Sequence, residues 1–260
     1  MGKTTKLPIV RFSAKEEQQT EDTVTIESQL TIVLNGEELV TIACSPAELN
    51  YLVTGFLLSE GLITNKDDIK SLTIDEENRR AIVETTSVSP RKTHNLFLTA
   101  GGTRSGSTLS DLNEDNPNIV RSQQVVKAGW VSRVMEEFKQ HSEVFKSTGC
   151  VHSAAIADGE KMFFFSEDVG RHNAIDKVFG WCLLNNVSTG DKILFTSGRI
   201  SSEMLLKAAK RNVPFIITKA APTNLGIEMA AKLGVTLIGF VRNGKMNVYS
   251  HSWRVTIGNG

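Results

Sequence analysis

Residues 166–181, SEDVGRHNAIDKVFGW, set Glu167, Asp168, Arg171, His172, Asn173, Asp176 and Lys177 within eleven positions before the pattern turns apolar. Such a mixture at the front of a helix either caps it and forms surface ion pairs, or holds a polar ligand. His172 and Asp176 are four apart, as are Asn173 and Lys177, so each pair can meet on a helix surface. Behind them Ile175, Val178, Phe179, Cys182 and Leu183 follow i, i+3, i+4, i+7, i+8, a core-facing stripe. Cys182 then packs as a small apolar group. Asp168 and Gly170 precede the first turn, where a cap and a tight backbone turn are expected.

A second polar string, Thr196-Ser197-Gly198-Arg199-Ile200-Ser201, stands between a buried strand (KILFT, 192–196) and a helix start. In an open α/β sheet that position is the carboxyl edge, where ligands bind. Backbone N–H groups, a glycine, hydroxyls and one arginine there make an anion cradle; the alternative is that Ser201 caps and Arg199 is merely solvated. Ala221-Pro222-Thr223-Asn224 repeats the arrangement in the next unit. Three polar strand-to-helix loops on one edge point to a phosphate-bearing or otherwise polar ligand. Neither GxGxxG nor GxxxxGK[ST] occurs, and Gly2-Lys3-Thr4 only imitates the end of a P-loop.

The elements that must position these groups fall into two patterns. Residues 1–22 read as a flexible leader, and residues 23–118 as a strand-rich N-terminal domain. There TVTIESQLTIVLNGEELVTIAC alternates around Asn35-Gly36, a hairpin cue. Ser45-Pro46 predicts the start of a helix with Leu49, Leu52, Val53 and Phe56 on its apolar stripe. Short strands follow near 70–75 and 80–86, and then a Gly/Ser-rich loop at 100–118. Residues 119–260 form an α/β domain opened by a helix from Val120 to Phe138. Beyond Thr148, strands CVHSAAIA, MFFFS, KILFT, PFIIT and VTLIGFV alternate with helices, which predicts a mostly parallel sheet covered on both faces.

The 260 residues carry 29 Lys plus Arg against 29 Asp plus Glu, so no net field draws the chain to nucleic acid or an anionic membrane. No run approaches the roughly 18 apolar residues of a membrane span, and the N-terminus lacks the apolar core of a signal peptide. Three well-separated cysteines, Cys44, Cys150 and Cys182, fit reduced thiols in a cytoplasm.

CSPAELNYLVTGFLLSEGLI (44–63), TGCVHSAAI (148–156), EDVGRHNAIDKVFG (167–180), SGRISSEMLLKAAKRNVPFIITKAAPTNLGIEMAAKLGVTLIGFVR (197–242) and RNGKMNVYSH (242–251) together resemble the formate dehydrogenase accessory (FdhD) family. The resemblance implies a cytidine-deaminase-like α/β/α sandwich with a smaller, strand-rich N-terminal domain, assembled as a homodimer. It also implies a sulfurtransferase that accepts sulfur from a cysteine desulfurase and passes it to the molybdenum bis(molybdopterin guanine dinucleotide) cofactor, bound as substrate or cargo, for formate dehydrogenase. A guanine nucleotide or pterin ligand would then occupy the polar loops, with Asp168, Arg171, His172, Asn173, Asp176, Lys177, Ser197, Gly198, Arg199 and Ser201 as contacts. Phe240, Val241, Arg242, Asn243, Gly244 and Lys245 carry over as cofactor-contacting; the alternative is a strand end and a turn.

One departure bears on mechanism. The family's persulfide cysteine lies in a CxxC motif before the long helix, whereas this loop reads GGTRSGSTLSD and no cysteine stands between Cys44 and Cys150. Sulfur relay needs a thiolate. Cys150 and His152 are two apart on a predicted strand, so an imidazolium could lower that thiol's pKa; the alternative is a small buried residue in place of glycine. Cys44 reads as structural. Without a relay the chain would be a maturation chaperone that holds the cofactor. Deaminase chemistry lacks its parts, since His152-Ser153-Ala154 has no glutamate and no CxxC exists; His94, His141 and His251 show no ligand spacing, so no metal is expected.

Overall fold

The computed structural model describes residues 2–86, 98–99, 102–103 and 119–258. The chain opens with a hairpin of β1 (Thr4–Phe12) and β2 (Glu17–Thr25). A four-stranded sheet follows, built from β3 (Ser28–Leu34), β4 (Glu37–Cys44), β5 (Ile69–Asp75) and β6 (Arg80–Thr85) in the order β4-β3-β6-β5. Helix α1 (Leu49–Glu60) lies between β4 and β5. The two-residue strands β7 (Leu98–Thr99) and β8 (Gly102–Thr103) pair with each other. The rest of the predicted 100–118 loop, and His94, lie outside the described residues.

The second half begins with β9 (Val126–Lys127), α2 (Ala128–Gln140) and α3 (Glu143–Thr148). Strands β10 (His152–Ala157) and β11 (Met162–Asp168) lead into α4 (Arg171–Leu184). Then come β12 (Ile193–Thr196), α5 (Ser202–Lys210), β13 (Phe215–Thr218), α6 (Asn224–Lys232), β14 (Thr236–Arg242), β15 (Lys245–Val248) and β16 (Val255–Thr256). The main sheet has the order β11-β10-β12-β13-β14-β15. In this sheet only β12, β13 and β14 run parallel to one another; β10 is antiparallel to both β11 and β12, and β15 to β14. The sheet is therefore mixed where the strand–helix alternation predicts mostly parallel.

Alternation along the strands sends Ala154, Ile156, Leu194, Ile216 and Leu237 to one apolar cluster and Ala155, Ile193, Phe195, Phe215 and Ile217 to the other. The first packs with residues of α1, α4, α5 and α6, the second with Val131, Val134, Met135 and Phe138 of α2. This is the expected α/β fold with helices on both faces. The first cluster also takes in Leu30, Ile32, Ala81 and Val83 of the N-terminal sheet. Helices α1 and α4 join the two parts: a Cβ on Gly55 would fall 1.7 Å from the Asp176 carbonyl oxygen, and one on Gly180 would fall 2.0 Å from that of Tyr51. Only glycine permits so close a crossing.

Three local expectations change. Residues 1–22, expected as a flexible leader, largely form the first hairpin. Its two faces are too exposed to show an apolar pattern, with Phe12 72% accessible. The backbone ladder holds it together, and Thr25 Oγ1 donates to Thr148 Oγ1 at 2.8 Å. Helix α2 starts at Ala128 rather than Val120, because the preceding segment runs extended. There the Val120 N–H donates to Leu233 O (2.9 Å), and Val126 pairs with Val255. Helix α1 starts at Leu49, not at Pro46, because Ser45 bonds elsewhere, as described next. No helix among the described residues is long and apolar enough to cross a membrane.

Candidate functional site

Strand register brings one rim of the main sheet together. His152 stands opposite Asp168, Ala154 opposite Thr196, and Thr196 opposite Thr218. The start of β10 thus lies beside the ends of β11, β12 and β13. The loops that follow are fastened to each other: Ile200 N–H donates to Ala221 O (3.1 Å), Thr223 N–H to Ile200 O (2.9 Å) and Phe240 N–H to Ala220 O (3.1 Å). Thr218 Oγ1 donates to Gly198 O at 2.8 Å.

Most of the polar front of α4 is occupied within the protein. Asp168, fully buried, accepts from Ser45 N–H (3.1 Å), Gly170 N–H (2.9 Å) and Asn173 Nδ2 (2.8 Å), and its Oδ2 pairs with Lys177 Nζ at 2.8 Å. Lys177 also donates to Glu167 O (3.1 Å), and Asn173 to Ala43 O (2.8 Å). Asp176 accepts from Ser59 Oγ (2.6 Å) and pairs with Lys207 Nζ at 2.7 Å. No His172–Asp176 or Asn173–Lys177 bond is seen among the described residues: Asp176 is held by Ser59 and Lys207, Asn173 by Asp168 and Ala43, and Lys177 by Asp168 and Glu167. Asp168, Asn173, Asp176 and Lys177 are braces between the N-terminal sheet, α1, α4 and α5.

Arg171 and His172 remain at the rim. A Cβ built on Gly198 would lie 3.2 Å from Arg171 Cβ and 3.7 Å from His152 Nδ1, so these side chains flank the bare glycine. Ser197 Oγ accepts from Ser153 N–H (2.9 Å), which ties its loop to β10. Ser201 is the N-cap residue of α5, yet its Oγ makes no capping bond and is buried with no hydrogen-bond partner among the described residues. Arg199 is exposed.

The other expected contacts sit on the β14–β15 hairpin. Phe240, Arg242, Asn243 and Lys245, with Met246 and Asn247, line a hollow of about 640 Å³; Val241 is buried, and Asn243-Gly244 makes the turn with both residues at positive φ. Arg242 lies over the Phe240 ring at 5.9 Å. Asp168, His172 and Arg199, also expected as ligand contacts, do not line this hollow. Phe240 itself has φ 53°, a strained value for a bulky side chain.

Two rim residues escape a sequence reading, Lys219 and Glu203. Lys219 stands directly after a buried strand, the position that singled out Ser197, and that spacing alone could have flagged it. Its ammonium lies over the Phe145 ring at 4.4 Å, and burial lowers its pKa. Burial first, then Arg171, Lys219 and Arg199, hold His152 below its ordinary value, which disfavours the imidazolium expected to activate Cys150. Burial, with Lys207 and Arg171, pushes His172 down to about 3, and its Nε2 faces Glu203 Oε2 at 3.7 Å without a hydrogen bond. Folded His172 thus stays neutral where the unfolded residue takes a proton near 6.5. The unfolded state binds more protons between those values, so stability falls as pH drops through that window, by up to about 1.4 kcal/mol per pH unit. His172→Gln should lose less stability than wild type between pH 7 and 5 in urea titrations; equal losses would show that the folded imidazole takes up the proton.

Of the three cysteines, Cys44 and Cys182 are buried and Cys150 is exposed, not the small buried residue that was one expectation. Burial pushes both buried thiols up to about 12, aided at Cys44 by the Asp168 carboxylate. Iodoacetamide should alkylate the native protein at Cys150 alone, and the other two only after unfolding. Modified Cys44 or Cys182 in the native peptide map would contradict this. Among the described residues, no three His, Cys, Asp or Glu gather in a metal-binding group.

The sheet rim of this α/β fold thus collects arginine, lysine and histidine from neighbouring strand ends, and the carboxyl edge of an open α/β sheet is the general location of ligand sites. Residues 25–256 match the model of the FdhD/NarQ family, and the chain belongs to that family. It is 42% identical over 240 residues to the sulfur carrier protein FdhD of Bacillus pumilus, covering 90% of this chain and 91% of that one. It is 41% identical over 248 residues to the protein of the same name from Bacillus subtilis, covering 94% and 95%. A crystal structure described as a formate dehydrogenase accessory protein from Desulfotalea psychrophila superposes with a TM-score of 0.80 over 98% of this chain and 100% of that one, at 23% identity, a likeness of fold.

Proposed function

We propose that the chain is a sulfur carrier in formate dehydrogenase maturation, taking sulfur from a cysteine desulfurase and offering it to the molybdenum bis(guanine dinucleotide) cofactor, which binds as cargo. The observation that carries this reading is the exposure of Cys150 beside the rim while both other thiols are buried. In the loading step the Cys150 thiolate attacks the terminal sulfur of the desulfurase persulfide. A new S–S bond forms at Cys150, the old one breaks, and the desulfurase cysteine leaves as thiolate. The strained Phe240 and the cations Arg242 and Lys245 around the hairpin hollow support the cofactor as cargo.

A second reading, a cofactor-holding chaperone without its own relay, is favoured by the absence of any cysteine between Cys44 and Cys150. One experiment separates the two. The protein is incubated with a cysteine desulfurase and ³⁵S-cysteine, and the label is mapped by mass spectrometry. Label on Cys150 that disappears in Cys150→Ser supports relay. Label on none of the three thiols leaves the chaperone.

A further inference from the structure

We propose that a hollow at the ends of α4 and α5 remote from the sheet rim is a second ligand site, and that it takes a small monocarboxylate with an apolar body. The hollow measures about 330 Å³, within the range of small-molecule sites. It shares no lining residue with the hollow beside the β14–β15 hairpin, and Cys150 does not line it.

Topology sets its place. Helices α4 and α5 begin at the rim, after β11 and β12, and end where the chain turns back to enter β12 and β13. The 14 residues of α4 put the hollow about 20 Å from the rim. Its floor is apolar: Phe179 and Cys182 of α4 are 1% and 2% exposed, and Leu58 of α1 is 3%. Leu183 and Val187, both half-buried, continue the wall. These α4 residues belong to the stripe whose period marks the core side of the helix, yet its last turn faces a space wide enough for a guest. Ser188, Thr189 and Arg211 bound the polar side. Thr189 Oγ1 donates to Arg211 O, and Arg211 N–H to Ala208 O (3.0 Å), so loop and helix end are held together. The Arg211 side chain is half-buried, burial lowers its pKa, and no carboxylate offsets that effect. Asp191, the acid of the adjoining loop, is paired with Lys192 at 2.7 Å. A guanidinium held beside an apolar floor is complementary to a carboxylate that carries an aromatic or short aliphatic body. The fork can take both carboxylate oxygens in charge-assisted bonds while the body covers the floor. A free phosphate would use the guanidinium and leave the floor uncovered.

The test follows para-fluorobenzoate by fluorine NMR on the full chain at fixed ionic strength, with hexanoate, acetate, inorganic phosphate and benzyl alcohol as competitors. Fluorobenzoate should bind, and acetate, phosphate and benzyl alcohol should compete far more weakly than unlabelled benzoate. Displacement by hexanoate supports a site open to aliphatic bodies, and its failure supports one confined to aromatic bodies. Arg211→Ala should weaken fluorobenzoate binding by about tenfold or more. Ser188→Glu, at an exposed position on the same hollow, sets a rival carboxylate near the guanidinium without touching the core and should weaken binding likewise. Arg199→Ala, at the rim, should leave the affinity unchanged. Absence of fluorobenzoate binding overturns the site, as does equal affinity in wild type, Arg211→Ala and Ser188→Glu with unchanged thermal unfolding. Loss on Arg199→Ala, or acetate competing as well as benzoate, overturns it too. Each of those results leaves the sulfur-carrier reading intact, which stands or falls on label at Cys150.

Discussion

Lys177→Met should destabilise the protein by about 3–5 kcal/mol in urea denaturation, the cost of leaving one charge of a buried pair alone. Both partners are inaccessible, with Lys177 Nζ 2.8 Å from Asp168 Oδ2. Without the ammonium, Asp168 keeps only the neutral donors of Ser45, Gly170 and Asn173. The double variant Lys177→Met/Asp168→Asn removes both charges and should recover much of the loss, because a buried pair exchanged for neutral groups is often close to neutral in stability. Additive losses in the double variant would mean that the two groups act independently, contrary to the geometry.

The second large effect lies at the helix crossing. Gly55→Ala and Gly180→Ala would each raise intrinsic helix stability by up to about 1 kcal/mol if the sites were open. Here the new methyl group would sit 1.7 or 2.0 Å from a carbonyl oxygen of the other helix. The helices must separate, which costs about 1–3 kcal/mol or more and strains the bonds of Asp176 to Ser59 and Lys207. Calorimetry should show a lower Tm for both variants. A raised Tm in either would refute the backbone-to-backbone crossing.

Local periodicity carried most of the fold. The strands from His152 to Arg242 and the helices between them stand within a few residues of their predicted places, because buried strands and apolar stripes follow simple repeats. The hairpin at Asn35-Gly36 lies between β3 and β4 as its turn residues predict, with φ of 51° and 85°. What local pattern cannot carry is who meets whom. Asp168 finds Ser45 across 123 positions, and Asp176 finds Ser59 across 117. Their charges suggested a ligand because their true partners were far away in sequence. Ser45-Pro46 likewise looked like a helix start, yet the Ser45 Oγ accepts from Val169 N–H (3.2 Å). The first hairpin was hidden for the opposite reason, since a ribbon exposed on both faces leaves no apolar rhythm to read.

The fastening of the strand-end loops to one another has a kinetic corollary. Main-chain bonds among residues 200, 220–223 and 240, with the Thr218 hydroxyl bond to Gly198 O, join these loops into a single stiff shelf, so cations mounted on it need little reordering when a charged guest arrives. Arrival should then be governed by diffusion and ionic strength, and discrimination between guests by how quickly each departs.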